Sequence, residues 1–317
     1  MIKRHDNVVT GSAVHYLRAR SESGTTVVLA RAGQRTVVIG DVIGVPNLDM
    51  EPFIAASLIE TSWRRIGDEV EEALGLEDSW TEQPFEIISP VSLGAEVWAA
   101  GVTYERSREA RLEESGFDIY DRVHSAPRPE LFLKADAART SGTLDPIGIR
   151  TDSSWQVPEP EIVLLLNQRL DVVGYSLGND VTARDIEAAN PLYLPQAKIW
   201  PNSCAIGPGF VPATAPIDVR QFSISCEIIR SGHVLWSDAI EFTKMVRRFD
   251  ELVSYLRPMT TGLSAVWLMT GTGLVPPDDI GLRSGDLVLV SVPEIGRLEN
   301  HVVALPDGSP TPEPLDA

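Results

Sequence analysis

The most informative stretch of this chain reads Val157-Pro158-Glu159-Pro160-Glu161-Ile162-Val163-Leu164-Leu165-Leu166. The apolar run at its end predicts a strand, and Glu159 and Glu161 lie two residues apart where that strand begins. Side chains at this spacing point to the same face of an extended chain, so the two carboxylates converge. Two like charges this close together are unfavourable unless a cation lies between them.

A third carboxylate follows the next apolar run, Val172 to Leu177, in the tripeptide Gly178-Asn179-Asp180. If the two runs pair as neighbouring strands, Asp180 joins Glu159 and Glu161 in a site of three carboxylates. Such hard oxygen ligands suit Mg²⁺ or Mn²⁺ and leave coordination positions open for substrate or water. The spacing alone leaves one alternative open, in which Glu159 and Glu161 merely face solvent at a strand edge.

The composition excludes several classes of function. The chain has 317 residues, 43 % of them apolar, which suits one large or two modest domains. Its formal net charge of -18 gives no basic face for phosphates, so nucleic acid is excluded as a partner. The first residues lack the apolar core of a signal peptide, and the longest apolar runs are too short to span a bilayer. We therefore expect a cytoplasmic protein with no membrane partner.

The two cysteines, Cys204 and Cys226, carry no metal or redox pattern. Neither lies in a CxxC spacing or a zinc-binding arrangement. A free cysteine usually packs as a small apolar residue, so we predict that both are reduced, buried thiols.

The first part of the chain combines a hairpin pattern with helical periodicity. β-Branched runs at Thr25 to Leu29 and Thr36 to Ile39 predict a hairpin. Apolar residues between 47 and 76 recur at helical spacing, which predicts one or two amphipathic helices. An irregular segment with two prolines follows as a linker. We interpret residues 1–88 as a small α+β amino-terminal domain.

The rest of the chain is rich in strand patterns. Short apolar runs alternate with Gly, Pro, Asp and Asn, without the regular strand–helix alternation of a doubly wound sheet. Strands are predicted at 97–102, 131–134, 161–166, 172–177, 223–229 and 287–292, and helices at 106–114, 183–189 and 250–256. We interpret residues 89–305 as a mixed α+β catalytic domain and the proline-rich residues 306–317 as a disordered tail.

An ordered set of motifs resembles the fumarylacetoacetate hydrolase superfamily. The set comprises Glu159-Pro160-Glu161, then Gly174-Tyr175-Ser176-Leu177-Gly178-Asn179-Asp180-Val181-Thr182-Ala183-Arg184-Asp185, then Lys198, then Gly207-Pro208. The resemblance extends from about residue 99 to residue 303. It implies a mixed β-roll fold, a homodimer, and a Mg²⁺ ion, with Mn²⁺ as the alternative, held by Glu159, Glu161 and Asp180.

The same resemblance assigns roles to further residues. Lys198 would point into the site, where a neighbouring cation disfavours the ammonium form and makes the amine a usable base. The alternative is an ordinary surface lysine. Arg184 and Asp185 are either a structural ion pair at a helix start or catalytic residues. Contacts with the substrate are implied for Thr272, Tyr104, Arg106 and Tyr193.

The segment Thr103-Tyr104-Glu105-Arg106-Ser107-Arg108-Glu109-Ala110 departs from the hydrolases of this superfamily. Those enzymes carry a His–Glu pair on a lid helix, and that pair activates the water that cleaves a C–C bond. Here Ser107 stands in the place of the histidine and Ala110 in the place of the glutamate. Neither side chain can act as a general base on water, and Glu109 lies on a different helix face.

Other segments closely resemble a subgroup of the superfamily, the 2-keto-3-deoxy-D-arabinonate dehydratases. They are residues 101–105, 128–132 and 157–161, and above all Asn190-Pro191-Leu192-Tyr193-Leu194-Pro195-Gln196-Ala197-Lys198. The implied reaction is the Mg²⁺-dependent dehydration of a 2-keto-3-deoxy sugar acid to 2,5-dioxopentanoate through a metal-stabilised enolate. Lys198 would be the base, and Glu187 or Glu109 would protonate the leaving hydroxyl.

Three other functions stay open on the sequence. The first alternative is a C–C bond hydrolase of a 2,4-diketo acid, which also needs an activated water. An isomerase or decarboxylase of a related keto acid is the second. The third is a catalytically inactive metal-binding protein, against which the joint presence of three carboxylates and Lys198 argues.

Overall fold

The fold is that of a computed structural model, which describes residues 13–115, 123, 125–214, 218–260 and 262–306. The strands are β1 (His15–Ser21), β2 (Thr26–Ala32), β3 (Arg35–Val38), β4 (Phe85–Ile87), β5 (Glu96–Gly101), β6 (Glu130–Asp136), β7 (Thr140–Ser141), β8 (Ile147–Ile149), β9 (Gln156–Val157), β10 (Pro160–Asn167), β11 (Val172–Asp180), β12 (Thr182–Ala183), β13 (Cys204–Pro212), β14 (Ser223–Arg230), β15 (His233–Glu241), β16 (Ala265–Met269), β17 (Leu287–Val292) and β18 (Gly296–Ala304). The helices are α1 (Ile39–Ile43), α2 (Met50–Ala55), α3 (Glu60–Gly75), α4 (Glu105–Ser115), α5 (Arg184–Ala189), α6 (Leu194–Lys198) and α7 (Phe249–Leu256).

A large mixed sheet forms the centre of the molecule. Its strands follow the order β3-β2-β1-β13-β11-β10-β16-β5-β6, with β4 also paired to β1 and β7 to β13. A second sheet has the order β15-β14-β17-β18-β8, and β9 pairs with β12. The predicted α+β class is confirmed, since antiparallel pairs dominate both sheets and the helices flank them.

Strand β10 lies at the point where three groups of buried side chains meet. Val163 and Leu165 pack in the core beneath helices α1 to α3. Leu164 packs in the core beneath helix α7, and Ile162 packs in the core shared with the second sheet. Because β10 is buried on both faces, its sequence is a continuous apolar run rather than an alternating one.

The amino-terminal hairpin and helices form as predicted, whereas the segment expected to be a linker contains strand β4, which pairs with β1. Strands β2 and β3 form the predicted hairpin, and Gly33 turns between them with a φ of 61°, which suits glycine. The helical periodicity produces α2 and α3, which a short 3₁₀ turn over Ala56–Leu58 separates. Strand β1 pairs with β13, so the amino-terminal strands extend the sheet that contains β10. The division of the chain at residue 88 stays a prediction.

Three further expectations concern membrane-spanning helices, the cysteines and the carboxy-terminal tail. No helix among the described residues is both long and apolar enough to cross a membrane. Both cysteines are free and buried, as predicted. Of the tail predicted to be disordered, residues 307–317 lie outside the described residues.

Candidate active site

The three carboxylates meet at the start of β10 and the end of β11. These strands are antiparallel neighbours, with Glu161 opposite Gly178, and the Asp180 amide donates a hydrogen bond of 2.9 Å to the Glu159 carbonyl oxygen. A carboxylate oxygen from each of Glu159, Glu161 and Asp180 lies within 4.8 Å of the others, and all three residues are buried. The two glutamates therefore do not face solvent at a strand edge.

The electrostatics of this triad favour a bound cation. Burial raises the pKa of the Glu161 carboxyl well above its usual range, and the charges of Asp180 and Glu159 raise it further. A hydrogen bond from the Gly271 amide to the Glu161 carboxylate lowers this pKa and so partly offsets the two effects. A divalent cation among these oxygens would offset the repulsion, and three carboxylates are a donor set that Mg²⁺ and Mn²⁺ accept. The residues present therefore fit the predicted metal.

Gly271 holds its amide against Glu161 because of a conformation that suits glycine. Its φ is 93°, and a Cβ at this position would lie 2.0 Å from the hydroxyl oxygen of Thr103. Thr103 in turn donates a hydrogen bond of 2.7 Å to the carbonyl oxygen of Thr270. This turn brings backbone to the carboxylates where a side chain would not fit.

Lys198 lies among the same carboxylates at the end of helix α6. Its Nζ donates hydrogen bonds to Glu159 Oε2 at 2.8 Å, to Asp180 Oδ2 at 3.0 Å and to the Thr182 hydroxyl at 2.7 Å. The side chain is 4 % exposed, which excludes an ordinary surface lysine. An amine in contact with two ligands of the proposed cation is in a position to exchange protons with a metal-bound substrate.

A cavity opens over this cluster. Its polar lining includes Glu159, Asp180 and Lys198, together with Ser107, Glu130, Glu187 and Thr272. Glu187 reaches it from helix α5 and is buried. Thr272 is buried beside the triad, and its hydroxyl accepts a hydrogen bond of 3.1 Å from the Leu274 amide. One cavity thus presents a metal site, a lysine and two further carboxyl groups.

The predicted substrate contacts are placed differently from one another. Thr272 lines the cavity. Tyr104 is buried, and burial, followed by the nearby charge of Glu161, raises the pKa of its phenol. Arg106 is about half exposed on helix α4, and Tyr193 is 43 % exposed. Neither of these two lines the cavity as the described residues form it. The substrate-binding roles of all four residues stay predictions.

Helix α4 carries the substitutions that distinguish this chain from the hydrolases. Ser107 lines the cavity, and its hydroxyl donates a hydrogen bond of 2.7 Å to the Tyr104 carbonyl oxygen. Ala110 is buried. Glu109 is exposed, with its carboxylate 3.8 Å from Arg106. Of the two carboxyl groups considered for protonation of the leaving hydroxyl, only Glu187 therefore lines the cavity.

Two site residues, Glu130 and Lys134, were missed from the sequence. Both lie on strand β6; Glu130 lines the cavity, and the fully buried Lys134 lies with its Nζ 2.6 Å from Asp180 Oδ1. The available signal was a lysine directly after the apolar run Leu131-Phe132-Leu133 in a predicted strand, because a buried charge needs a partner. Arg184, whose role was left open, lies 3.3 Å from Glu159, and Asp185 accepts hydrogen bonds from two serines, Ser153 and Ser154.

Comparison with known proteins bears directly on this site. The family model described as fumarylacetoacetate (FAA) hydrolase C-terminal matches residues 96–303. The chain belongs to the fumarylacetoacetate hydrolase family. The motif resemblance is thereby confirmed, and the mixed sheets described above are the fold of that family.

Two relatives and one solved structure that resemble this family member carry dehydratase names. A probable 2-keto-3-deoxyxylonate dehydratase of Haloferax volcanii is 43 % identical over 252 residues, which cover 79 % of this chain and 86 % of the relative. A 2-dehydro-3-deoxy-D-arabinonate dehydratase of Saccharolobus solfataricus is 36 % identical over 262 residues, which cover 80 % and 87 %. A solved 2-keto-3-deoxy-D-arabinonate dehydratase, complexed with magnesium and 2,5-dioxopentanoate, superimposes with a TM-score of 0.74 at 29 % identity, covering 92 % of this chain and 99 % of that one.

Proposed function

We propose that this protein dehydrates a 2-keto-3-deoxy sugar acid of the D-arabinonate type to 2,5-dioxopentanoate, with Mg²⁺, or alternatively Mn²⁺, held by Glu159, Glu161 and Asp180. The observation that carries the proposal is the contact of Lys198 with two of these carboxylates inside a cavity where Ser107 replaces a catalytic histidine. Two dehydratase relatives, 43 % and 36 % identical, support the same reaction class.

Lys198 is the proposed base of the first step. A divalent cation on the three carboxylates would act as a Lewis acid toward a 2-keto acid and acidify the protons at C3. A positive charge beside a lysine disfavours the ammonium form, so the Lys198 amine becomes able to accept one of these protons. The electron pair left by that proton forms the enolate.

Glu187 is the proposed acid of the second step. The enolate electron pair forms the C3–C4 double bond while the C4–O bond breaks, and the hydroxyl leaves as water with a proton from Glu187. One proton then leaves C5 and another is added at C3, which gives an enol at C4 and C5. Protonation at C4, with loss of the proton of the C5 hydroxyl, converts this enol into the C5 aldehyde of 2,5-dioxopentanoate.

We also propose that four residues contact the substrate. Thr272, beside the triad, suits the substrate carboxylate because its hydroxyl and the neighbouring turn lie in the cavity wall. Tyr104 is buried near Glu161. Arg106 and Tyr193 would have to approach the cavity in the substrate complex, since both side chains are substantially exposed.

Product identification after metal removal and restoration tests this function. Chelated protein should lose turnover of a 2-keto-3-deoxy-pentonate, and Mg²⁺ or Mn²⁺ should restore it with release of an aldehyde. Glu161→Gln should weaken metal binding strongly, because an anionic ligand becomes neutral. Full activity of the chelated protein would contradict the metal assignment. Efficient cleavage of a 2,4-diketo acid to pyruvate would replace the dehydratase by the hydrolase.

We also propose a homodimer that acts in cytoplasmic pentose degradation. The family resemblance supports the dimer, and so does strand β15 at the edge of the second sheet. Most of its residues are exposed, including Val234 at 58 % and Leu235 at 40 %. A long edge strand with exposed apolar side chains is a ready site for pairing with another chain.

A further inference from the structure

Lys134 is a fully buried lysine that the reaction proposed above does not use. It lies on strand β6, and its side chain has no exposed surface. A buried ammonium is unfavourable unless its charge is paired and its hydrogen bonds are made. The surroundings of this group therefore show what it holds in place.

The ammonium of Lys134 contacts three groups from two separate parts of the site. Its Nζ lies 2.6 Å from Asp180 Oδ1, and it donates hydrogen bonds to the carbonyl oxygens of Val181, at 2.9 Å, and of Lys198. The Trp200 ring centroid lies 5.2 Å from the same nitrogen. The two carbonyl oxygens accept two of the three ammonium protons, and the Asp180 carboxylate pairs with the positive charge.

These contacts connect the proposed metal site to the proposed base. Asp180 has one carboxylate oxygen near Lys134 and the other 3.0 Å from the Nζ of Lys198. The carbonyl of Lys198 belongs to the residue that ends helix α6. Lys134 thus holds both the carboxylate and the backbone from which the base extends, and it does not itself line the cavity.

We propose that Lys134 is a positioning residue, which fixes Asp180 as a metal ligand and holds Lys198 at the distance at which its amine meets the substrate. The role in turnover rests on the proposed function, whereas the effect on metal binding does not. Groups that orient a metal ligand commonly change metal affinity or activity about 10–100-fold when they are removed. A displacement of a catalytic group by about 1 Å costs on the order of 10²-fold in rate.

The variant Lys134→Met distinguishes the loss of positioning contacts from the loss of a positive charge, because the two have opposite effects on cation binding. Removing a positive charge next to Asp180 should by itself strengthen the binding of a cation. Loss of a fixed ligand should weaken it. We expect about 10-fold to 100-fold weaker binding of Mn²⁺, measured without substrate by calorimetry or by the electron paramagnetic resonance of free Mn²⁺. We also expect kcat to fall on the order of 10²-fold, with a smaller change in KM.

Arg230→Met is the matched control. Arg230 pairs with the buried Asp286 at 2.8 Å in the second sheet, so this variant also removes the cation from a largely buried ion pair. It should lower thermal stability without changing Mn²⁺ affinity. If Lys134→Met does not fold, Lys134→Gln keeps two N–H donors for the carbonyl oxygens while it removes the charge, and the same loss of affinity is expected.

Each outcome decides the proposal. A folded Lys134 variant that binds Mn²⁺ as tightly as the wild type, or more tightly, would overturn it. If neither variant folds, a crystal structure of the Mn²⁺-loaded wild type decides: Lys134 must still contact both Asp180 and the Lys198 carbonyl, and its departure from either overturns the proposal. Absence of dehydratase activity in the wild type refutes the proposed function but leaves the Mn²⁺ comparison readable.

Discussion

At Lys198 a single amine is expected to control the first chemical step. Its buried Nζ contacts Glu159, Asp180 and Thr182 within 3.0 Å, so no water-exposed group has to move to bring a base to the metal site. Lys198→Ala should lower kcat on the order of 10²–10⁴-fold, the usual contribution of a general base. Exchange of the C3 protons of the substrate with deuterated water should disappear with it. Retained exchange in a folded variant would assign the base to another residue.

Glu187 is expected to matter for the second step and not for the first. Glu187→Gln keeps the size of the side chain but removes the acidic proton, so dehydration should slow on the order of 10²-fold while C3 exchange persists. Glu109→Gln is the control, because Glu109 is exposed beside Arg106 and should leave both rates unchanged. A reversed pattern would make Glu109 the acid. Nuclear magnetic resonance of the substrate in deuterated water measures both rates.

At the residue scale the sequence predicted the cluster of three carboxylates with Lys198 beside it, but not the neighbouring Lys134. The convergence of Glu159 and Glu161 could be predicted because residues two apart in a strand point to the same face. The position of Lys134 could not be predicted, because its contact with the Lys198 carbonyl joins residues 64 positions apart. Local sequence periodicity carries no information about such a long-range contact. Arg106 and Tyr193 came from resemblance alone, and the structure leaves each about half exposed.

At the scale of elements, several strands with continuous apolar runs were predictable, whereas others, among them β13, β15 and β16, were missed. β10 and β17 were found from their apolar runs, and the pairing of β10 with β11, on which the three-carboxylate site depends, is present. Strand β13 was missed because Gly207-Pro208-Gly209 resembles a turn. A Cβ at Gly209 would lie 2.1 Å from the Tyr16 carbonyl oxygen. This glycine therefore allows β1 to lie close to β13 and does not form a turn.

The start of helix α2 gives a prediction about stability. The Asp49 carboxylate accepts hydrogen bonds of 2.7 Å from the Met50 amide and of 2.7 and 2.9 Å from Arg18. Burial acts to raise its pKa, but the bonds from Arg18 and Met50 outweigh burial and leave the pKa below its usual value. Asp49→Ala should lower the free energy of unfolding by about 1–2 kcal/mol near neutral pH, as loss of a helix cap does.

The pH dependence follows from the sign of that shift. A depressed carboxyl pKa stabilises the fold above the unfolded value of about 3.9, and the contribution is lost as the pH falls through the folded pKa. Urea unfolding should therefore show a difference between wild type and Asp49→Ala that shrinks below about pH 4. Glu60→Ala is the control, since the Glu60–Arg64 pair is 84 % and 73 % exposed and should contribute little. An unchanged difference at low pH would contradict this explanation.

The whole molecule buries its proposed catalytic cluster between elements that come from distant parts of the chain, and it leaves strand β15 open at one edge. We expect a homodimer that sedimentation velocity detects at micromolar concentration. Charges on an edge strand oppose pairing, so the double variant Val234→Lys with Leu235→Lys should shift the protein toward the monomer. Leu93→Lys, at a residue 80 % exposed elsewhere, is the control. A monomeric wild type would contradict the dimer, and a dimeric double variant would place the interface elsewhere.

The measurement that tests the central claim most directly is nuclear magnetic resonance of the reaction in deuterated water. Magnesium-loaded wild type is mixed with 2-keto-3-deoxy-D-arabinonate, and the products are followed over time. Proton removal at C3, loss of the C4 hydroxyl and the final tautomerisation predict 2,5-dioxopentanoate that carries deuterium at C3 and C4. Pyruvate as the main product, or unchanged substrate in the presence of bound metal, would contradict the dehydratase assignment.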